Sequence, residues 1–281
     1  MLQTRLWMGA ILAALTAGVL FIDQRLAPWF PFLLVFLLVA GLAATVELRG
    51  LLPVSRRPHA WVCEIAVVAL IVANWIGQYE DHQAWHWIAG TFAGVVLSAF
   101  LVEMVKFDER GESVTRIALT IWIAAYLGLL PSFFAQLRWL PGESEGVSRS
   151  TQALALAIFV PKCCDIGAYF TGRLLGRHRM TPILSPKKTW EGFAGGMVTS
   201  IIVAIGLGRI GPALHESDWR AAGFGLTVGI AGVLGDLAES LIKRDCQKKD
   251  ASQVVPGFGG VLDVVDAVIF AAPVAYWWLV D

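Results

Sequence analysis

Nine stretches of mostly apolar residues, at 6–22, 26–46, 60–79, 83–105, 117–137, 151–171, 190–208, 221–242 and 258–280, run through the chain with short polar segments between them. Each is about as long as a helix needs to be to cross the ~30 Å hydrocarbon core of a bilayer. Inside lipid every backbone amide must find a partner within its own structure, so repeated stretches of this kind fold as helices. The expected fold is therefore all-α, a polytopic integral membrane protein with about nine transmembrane helices. With 57% hydrophobic and only 16% charged side chains, a water-soluble globule is excluded. The first stretch follows a lone Arg5 and has the length of a signal peptide. No small-residue cleavage site follows Phe21-Ile22-Asp23, so it is read as a retained helix.

Twenty-two Lys and Arg balance twenty-two Asp and Glu, which leaves no global basic field for nucleic acid. Sorted by alternate loops, however, the cations separate. Sixteen fall on the side of Arg5, Arg49, Arg56, Arg57, Lys106, Arg116, Arg173, Lys187, Lys188, Lys243 and Lys249; five fall on the other, and Lys162 lies inside a span. The positive-inside rule puts the N-terminus and the rich side in the cytoplasm and the C-terminus outside. Arg56 and Arg57 are read as topology signals. Several of the twelve Trp residues, among them Trp29, Trp61, Trp85, Trp87, Trp139, Trp190, Trp277 and Trp278, fall near span ends, as expected of an interfacial belt. The four Cys include no C-x-x-C pair, and His59, His82, His86, His178 and His215 share no face, so neither disulfides nor a zinc site is expected.

Ionisable residues at membrane depth are costly and mark chemistry or a partner. Lys162 and Asp165 lie one turn apart in the sixth span and can pair. In the eighth span Asp236, Glu239, Ser240 and Lys243 form one polar stripe, and the ninth opens with Asp263 and Asp266 on one face. Such carboxylates suit a divalent cation, which wants several hard oxygen ligands. Glu47, Glu64 and Glu103 lie near span ends, where pairing with Arg49, Arg57 or Lys106 costs little, and are read as structural. Asn74 is read as a helix-to-helix hydrogen bond.

Two segments are dense in chemistry. Ser185-Pro186-Lys187-Lys188-Thr189-Trp190-Glu191-Gly192 brings a hydroxyl and two ammonium groups to a helix start, a setting that favours phosphate. From Ser240 to Asp266 come Lys243-Arg244, Lys248-Lys249-Asp250 and Pro256-Gly257-Phe258-Gly259-Gly260, where glycines allow close backbone approach and cations suit phosphate.

At these residues the chain resembles the phosphatidate cytidylyltransferases, or CDP-diacylglycerol synthases. Their S-x-x-K-R-x-x-x-x-K-D signature is met by Ser240, Lys243-Arg244 and Lys249-Asp250, and their P-G-H-G-G-x-x-D-R-x-D by Pro256-Gly257-Phe258-Gly259-Gly260, Asp263 and Asp266. Gly235-Asp236-Leu237 with Glu239-Ser240 is similar to G-D-L-x-E-S. Asp165, Ala168-Tyr169 and Gly172-Arg173 are similar to D-x-x-A-Y-x-x-G-R, and residues 185–192 to S-P-K-K-T-x-E-G. Phe258 replaces the usual His, Val264 the usual Arg, and Ala251-Ser252 the usual small residue and Gly. The likeness is close over 160–270.

The resemblance implies transfer of a cytidylyl group from CTP to phosphatidate, with Mg2+ and with phosphate-binding residues drawn from the two dense segments. It implies Asp236, Asp263, Lys243 and Lys188 as catalytic, and Asp236, Asp263, Asp266 and Asp165 as ligands of one or two metal ions. Ser185, Lys187, Lys188, Thr189, Glu191, Ser240, Arg244, Lys249, Asp250, Gly259 and Gly260 would hold CTP and phosphatidate. It also implies a bacterial-type inner membrane, an N-terminal scaffold over 1–150 for lipid or dimer contacts, and catalytic helices over 151–281, all in one membrane domain. Gly195-Gly196 and Gly206 allow close helix contacts within or between chains, which leaves a homodimer open. The competing readings are a CTP-dependent polyprenol or phytol kinase, a cytidylyltransferase on another lipid phosphate, and, more remotely, an ion-coupled transporter.

Overall fold

Helices account for most of the described residues in a computed structural model, which describes residues 2–80, 83–107, 111–142, 147–214, 217–252, 254–255 and 259–280, with backbone alone for 2–6, 8, 10, 12 and 80. They are α1 (Leu2–Gln24), α2 (Pro31–Leu51), α3 (Ala60–Glu80), α4 (Ala84–Val105), α5 (Ser113–Ala124), α6 (Leu130–Gln136), α7 (Arg149–Leu175), α8 (Trp190–Gly208), α9 (Asp218–Asp245) and α10 (Val261–Val280). Among the described residues eight helical stretches are long and apolar enough to cross a membrane, and the apolar part of α1, Ala13–Gln24, is shorter. The protein is an all-α integral membrane protein, as its apolar stretches require.

Three departures from the expected spans have local causes. The second helix starts at Pro31 rather than 26, because Phe30 takes a left-handed conformation and Pro31 sits at the first helical position, where its missing N–H costs nothing. The fifth span carries a bulge: α5 runs into a wider turn over Ala125–Leu129, in which the Leu130 amide bonds back to the Ala125 carbonyl, and continues as one stretch to Trp139. Pro131 follows at once and has no amide to continue the ladder. Within the expected loop 172–189 lie two short antiparallel strands, β1 (Arg179–Thr181) and β2 (Ser185–Thr189).

The chain forms two compact units, each drawn from three stretches: Met1–Ile11, Leu26–Gln136 and Asp250–Val264 in one, and Leu12–Arg25, Leu137–Lys249 and Val265–Asp281 in the other. In the first, α3 packs against α2 and α4, and a polar relay crosses its interior. Asn74 Nδ2 donates to Ser132 Oγ (2.9 Å), Gln136 Nε2 to Asn74 Oδ1 (2.8 Å), and Gln78 Nε2 to Gln136 Oε1 (2.9 Å). Asn74 thus makes the helix-to-helix bond expected of it. Glu103 is also structural, but its partner is Arg116, whose Nη2 lies 2.8 Å away, rather than Lys106. Beside it, burial and then Lys106 push the His59 imidazole below its ordinary value, 3.5 Å from Glu103. Arg57 donates to the carbonyls of Gly50 and Leu52 and so closes the end of α2, a role beyond topology.

In the second unit α7, α8 and α9 pack on one another, with small residues at the contacts. A side chain on Gly195 would overlap Thr171, one on Gly167 would overlap Thr199, and one on Gly232 would come within 2.7 Å of Pro161 Cβ. Gly195-Gly196 therefore serve contacts within the chain, while Gly206 has open space beside it. Arg138 is fully buried, 3.5 Å from Asp23 and 2.7 Å from Thr151 Oγ1.

Candidate active site

The stripe on α9 is present as its spacing predicts, and α10 meets it within the second unit. Glu239 and Asp266 are buried and Asp236 is half-buried. A ligand oxygen of each lies within 4.8 Å of the other two, the one group of this kind among the described residues. Gly235 allows this approach: a side chain there would come within 2.5 Å of the Asp266 carbonyl.

Three carboxylates gathered in a buried site need compensation, and each has its own lysine. Lys188 Nζ lies 2.7 Å from Asp236 Oδ2, Lys243 Nζ 2.7 Å from Glu239 Oε2, and Lys162 Nζ 3.2 Å from Asp266 Oδ1. The i, i+4 spacing on α9 sets the Lys243 pair. Lys162 makes its ion pair with Asp266 on a different helix instead of with Asp165 one turn away, although Asp165 still lies within electrostatic range of Lys162, Asp266, Asp236 and Lys188. Ser240 Oγ donates to Asp236 Oδ1 at 3.5 Å. All the donors are hard carboxylate oxygens, and their convergence fits a divalent cation such as Mg2+.

The hairpin explains why two adjacent lysines differ. Side chains alternate along a strand, so Lys188 turns inward to Asp236 while Lys187 is exposed. Ser185 opens β2 and is half-buried; its carbonyl accepts from Thr181 Oγ1. Thr189 Oγ1 accepts from the Gly192 amide (3.1 Å) and caps α8. Glu191 accepts from the Arg177 and His178 amides at 3.0 and 3.2 Å and meets His178 Nδ1 at 2.6 Å, closing the hairpin's base. Arg244 donates to the Leu184 carbonyl at the hairpin turn, and Lys249 is exposed.

The glycine-rich segment belongs to the first unit. Pro256, Gly257 and Phe258 lie outside the described residues, as do His82 and His215. Val255 and Gly259 exchange backbone hydrogen bonds across them, with Gly259 at φ 107°. Asp250 is exposed. Asp263 Oδ2 accepts from the Gly260 amide at 2.7 Å and the Ala251 amide at 3.4 Å. The residue that sequence reasoning missed is Glu47, read as a span-end acid. Its Oε1 accepts from Ser252 Oγ (2.6 Å) and the Val261 amide (3.0 Å), and its Oε2 from the Leu262 amide (2.8 Å). The available signal was a helix start at 261 preceded by glycine, with no capping side chain.

The model of the family described as "Cytidylyltransferase family" matches residues 3–280. The chain belongs to that family. It is similar to a phosphatidate cytidylyltransferase of Staphylococcus epidermidis, 30% identical over 241 residues that cover 85% of this chain and 88% of that one. One from Synechocystis is 34% identical over 206 residues, 65% and 68% of the two chains. One from Staphylococcus aureus is 28% identical over 240 residues, 85% and 88%. Family membership thus extends over the N-terminal helices, where the motifs are silent.

Proposed function

We propose that this protein transfers a cytidylyl group from CTP to phosphatidate, giving CDP-diacylglycerol and pyrophosphate. The observation that carries the reading is the group of Asp236, Glu239 and Asp266 with Lys188, Lys243 and Lys162, in a family whose relatives are named for this activity. A phosphatidate oxygen attacks the α-phosphorus of CTP, and the bond from that phosphorus to the oxygen of the β-phosphate breaks. The nucleophile is already anionic, so the protein's task is alignment and neutralisation of charge. Mg2+ held by Asp236, Glu239 and Asp266 would supply positive charge to the phosphates. Asp165 and Asp263 enter the proposal through the resemblance rather than through this group. Lys188 and Lys243 hold the carboxylates and present ammonium groups to phosphate; Lys187, Arg244 and Lys249 add exposed cations, with Ser185, Ser240, Asp250 and the Gly259-Gly260 turn beside them in sequence.

The loop charges support a cytoplasmic N-terminus and site, where water-borne CTP meets a lipid phosphate, and an external C-terminus. Purified protein given phosphatidate, Mg2+ and CTP labelled at the α-phosphate should yield labelled lipid. A CTP-dependent kinase would instead pass label only from the γ-phosphate, to a polyprenol, and that outcome would replace this reading.

A further inference from the structure

The carboxylate of Glu47 sits where a helix start normally has a side chain of its own. An α-helix leaves its first amides without partners, and Ser, Thr, Asn or Asp at the N-cap usually accepts from one of them. At α10 the N-cap is Gly260, which has no such group. Glu47, brought in from α2, takes the Val261 and Leu262 amides, while Asp263 reaches back to the amide of Gly260 as the third residue of a capping box does. The exchange is also steric. A Cβ on Gly260 would lie 2.5 Å from Glu47 Oε2 and 2.8 Å from its Cδ. Glycine is required there because the carboxylate fills the space, and the carboxylate is required because glycine supplies no cap.

The geometry points to Glu47 as the positioning residue for Ser252 and the stretch from Gly260 to Asp263: it acts as the N-cap of α10 from another helix and fixes the backbone that carries Asp263. This rests on the proposed function only for its effect on turnover. Glu47 is 9% exposed, and among the described residues its carboxylate accepts one hydrogen bond from the Ser252 hydroxyl and two from amides of the first turn. Its negative charge also favours the positive end of the helix dipole.

The sequence around the site allows a reciprocal test. Serine at 260 would make Ser-Val-Leu-Asp, a capping box written within the helix itself. Four full-length proteins would be compared in detergent: the natural chain, Glu47→Ala, Gly260→Ser, and the double variant. Amide exchange at 260–263 should quicken about ten-fold in each single variant, because a charge-assisted cap is lost or displaced, and return toward the natural rate in the double variant. Turnover of CTP and phosphatidate should follow the same order, with kcat falling more than KM rises. A purely structural loss would lower the unfolding temperature in every variant without recovery in the double one. Unchanged exchange in Glu47→Ala, or a Gly260→Ser protein equal to the natural chain, would overturn the assignment. If either single variant fails to accumulate, the conservative Glu47→Asp and the double variant decide, since both should fold and the double variant should retain protected amides. If the natural chain makes no CDP-diacylglycerol, the functional reading falls while the exchange measurements still decide the role of Glu47.

Discussion

Glu47 in the first unit and Asp266 in the second are both carboxylates buried in the membrane part of the chain, yet they are held differently. Glu47 accepts from two backbone amides and a serine hydroxyl; Asp266 faces the ammonium of Lys162 and shares its neighbourhood with Asp236 and Glu239. Backbone donors are fixed by the helix they begin and cannot leave without unfolding a turn. Lysines hang on flexible stems and can exchange a carboxylate for a phosphate. Burial of an acid is therefore not by itself a sign of chemistry; the kind of partner separates a carboxylate that shapes backbone from one that can be offered to a ligand.

The largest expected effect tests the lysine-paired group. Asp236→Asn should insert correctly and lose cytidylyl transfer by about three orders of magnitude, as removal of charge from a metal-dependent phosphate site does. Near-normal turnover would erase the contrast. Lys188→Ala should cost about a hundred-fold, and Lys187→Ala less, if the strand's alternation divides the two. Equal losses would show that the inward turn of Lys188 carries no weight. In the first unit the order of effects reverses. Asn74→Leu should remove about 1 kcal/mol of stability, read as a lower unfolding temperature, and leave turnover intact at permissive temperature. Smallest of all, Arg56→Glu should change turnover less than two-fold, since exposed pairs such as Arg56 with Glu112 at 3.8 Å contribute about 0–1 kcal/mol. Arg57→Glu should cost more, through the carbonyls of Gly50 and Leu52.

Much of this was legible in the residues. Spans follow from apolar length, and most helix positions agree with it; the polar stripe of α9 follows from spacing alone. What spacing cannot give is the partner across helices. Lys162 was paired in sequence with Asp165 and instead pairs with Asp266, 104 residues on. Glu47 lay far from every motif, and its target is a set of amides that carry no mark in the sequence beyond a glycine at a helix start. The hairpin was hidden because β2 is five residues with a proline and two lysines, a composition that reads as loop; pairing with β1 and the Glu191 clasp make it a strand. Thr189 and Glu191, assigned to substrate by resemblance, are engaged within the hairpin and helix start: Thr189 with a backbone amide, Glu191 with two amides and the His178 ring.

The most direct test of the central claim is transfer of α-phosphate label from CTP to phosphatidate by purified natural protein and by Asp266→Asn, each with and without Mg2+. The account predicts labelled CDP-diacylglycerol only from the natural protein with Mg2+, from two proteins that elute and unfold alike. Comparable product from Asp266→Asn, or full product from the natural chain with Mg2+ chelated, would contradict it.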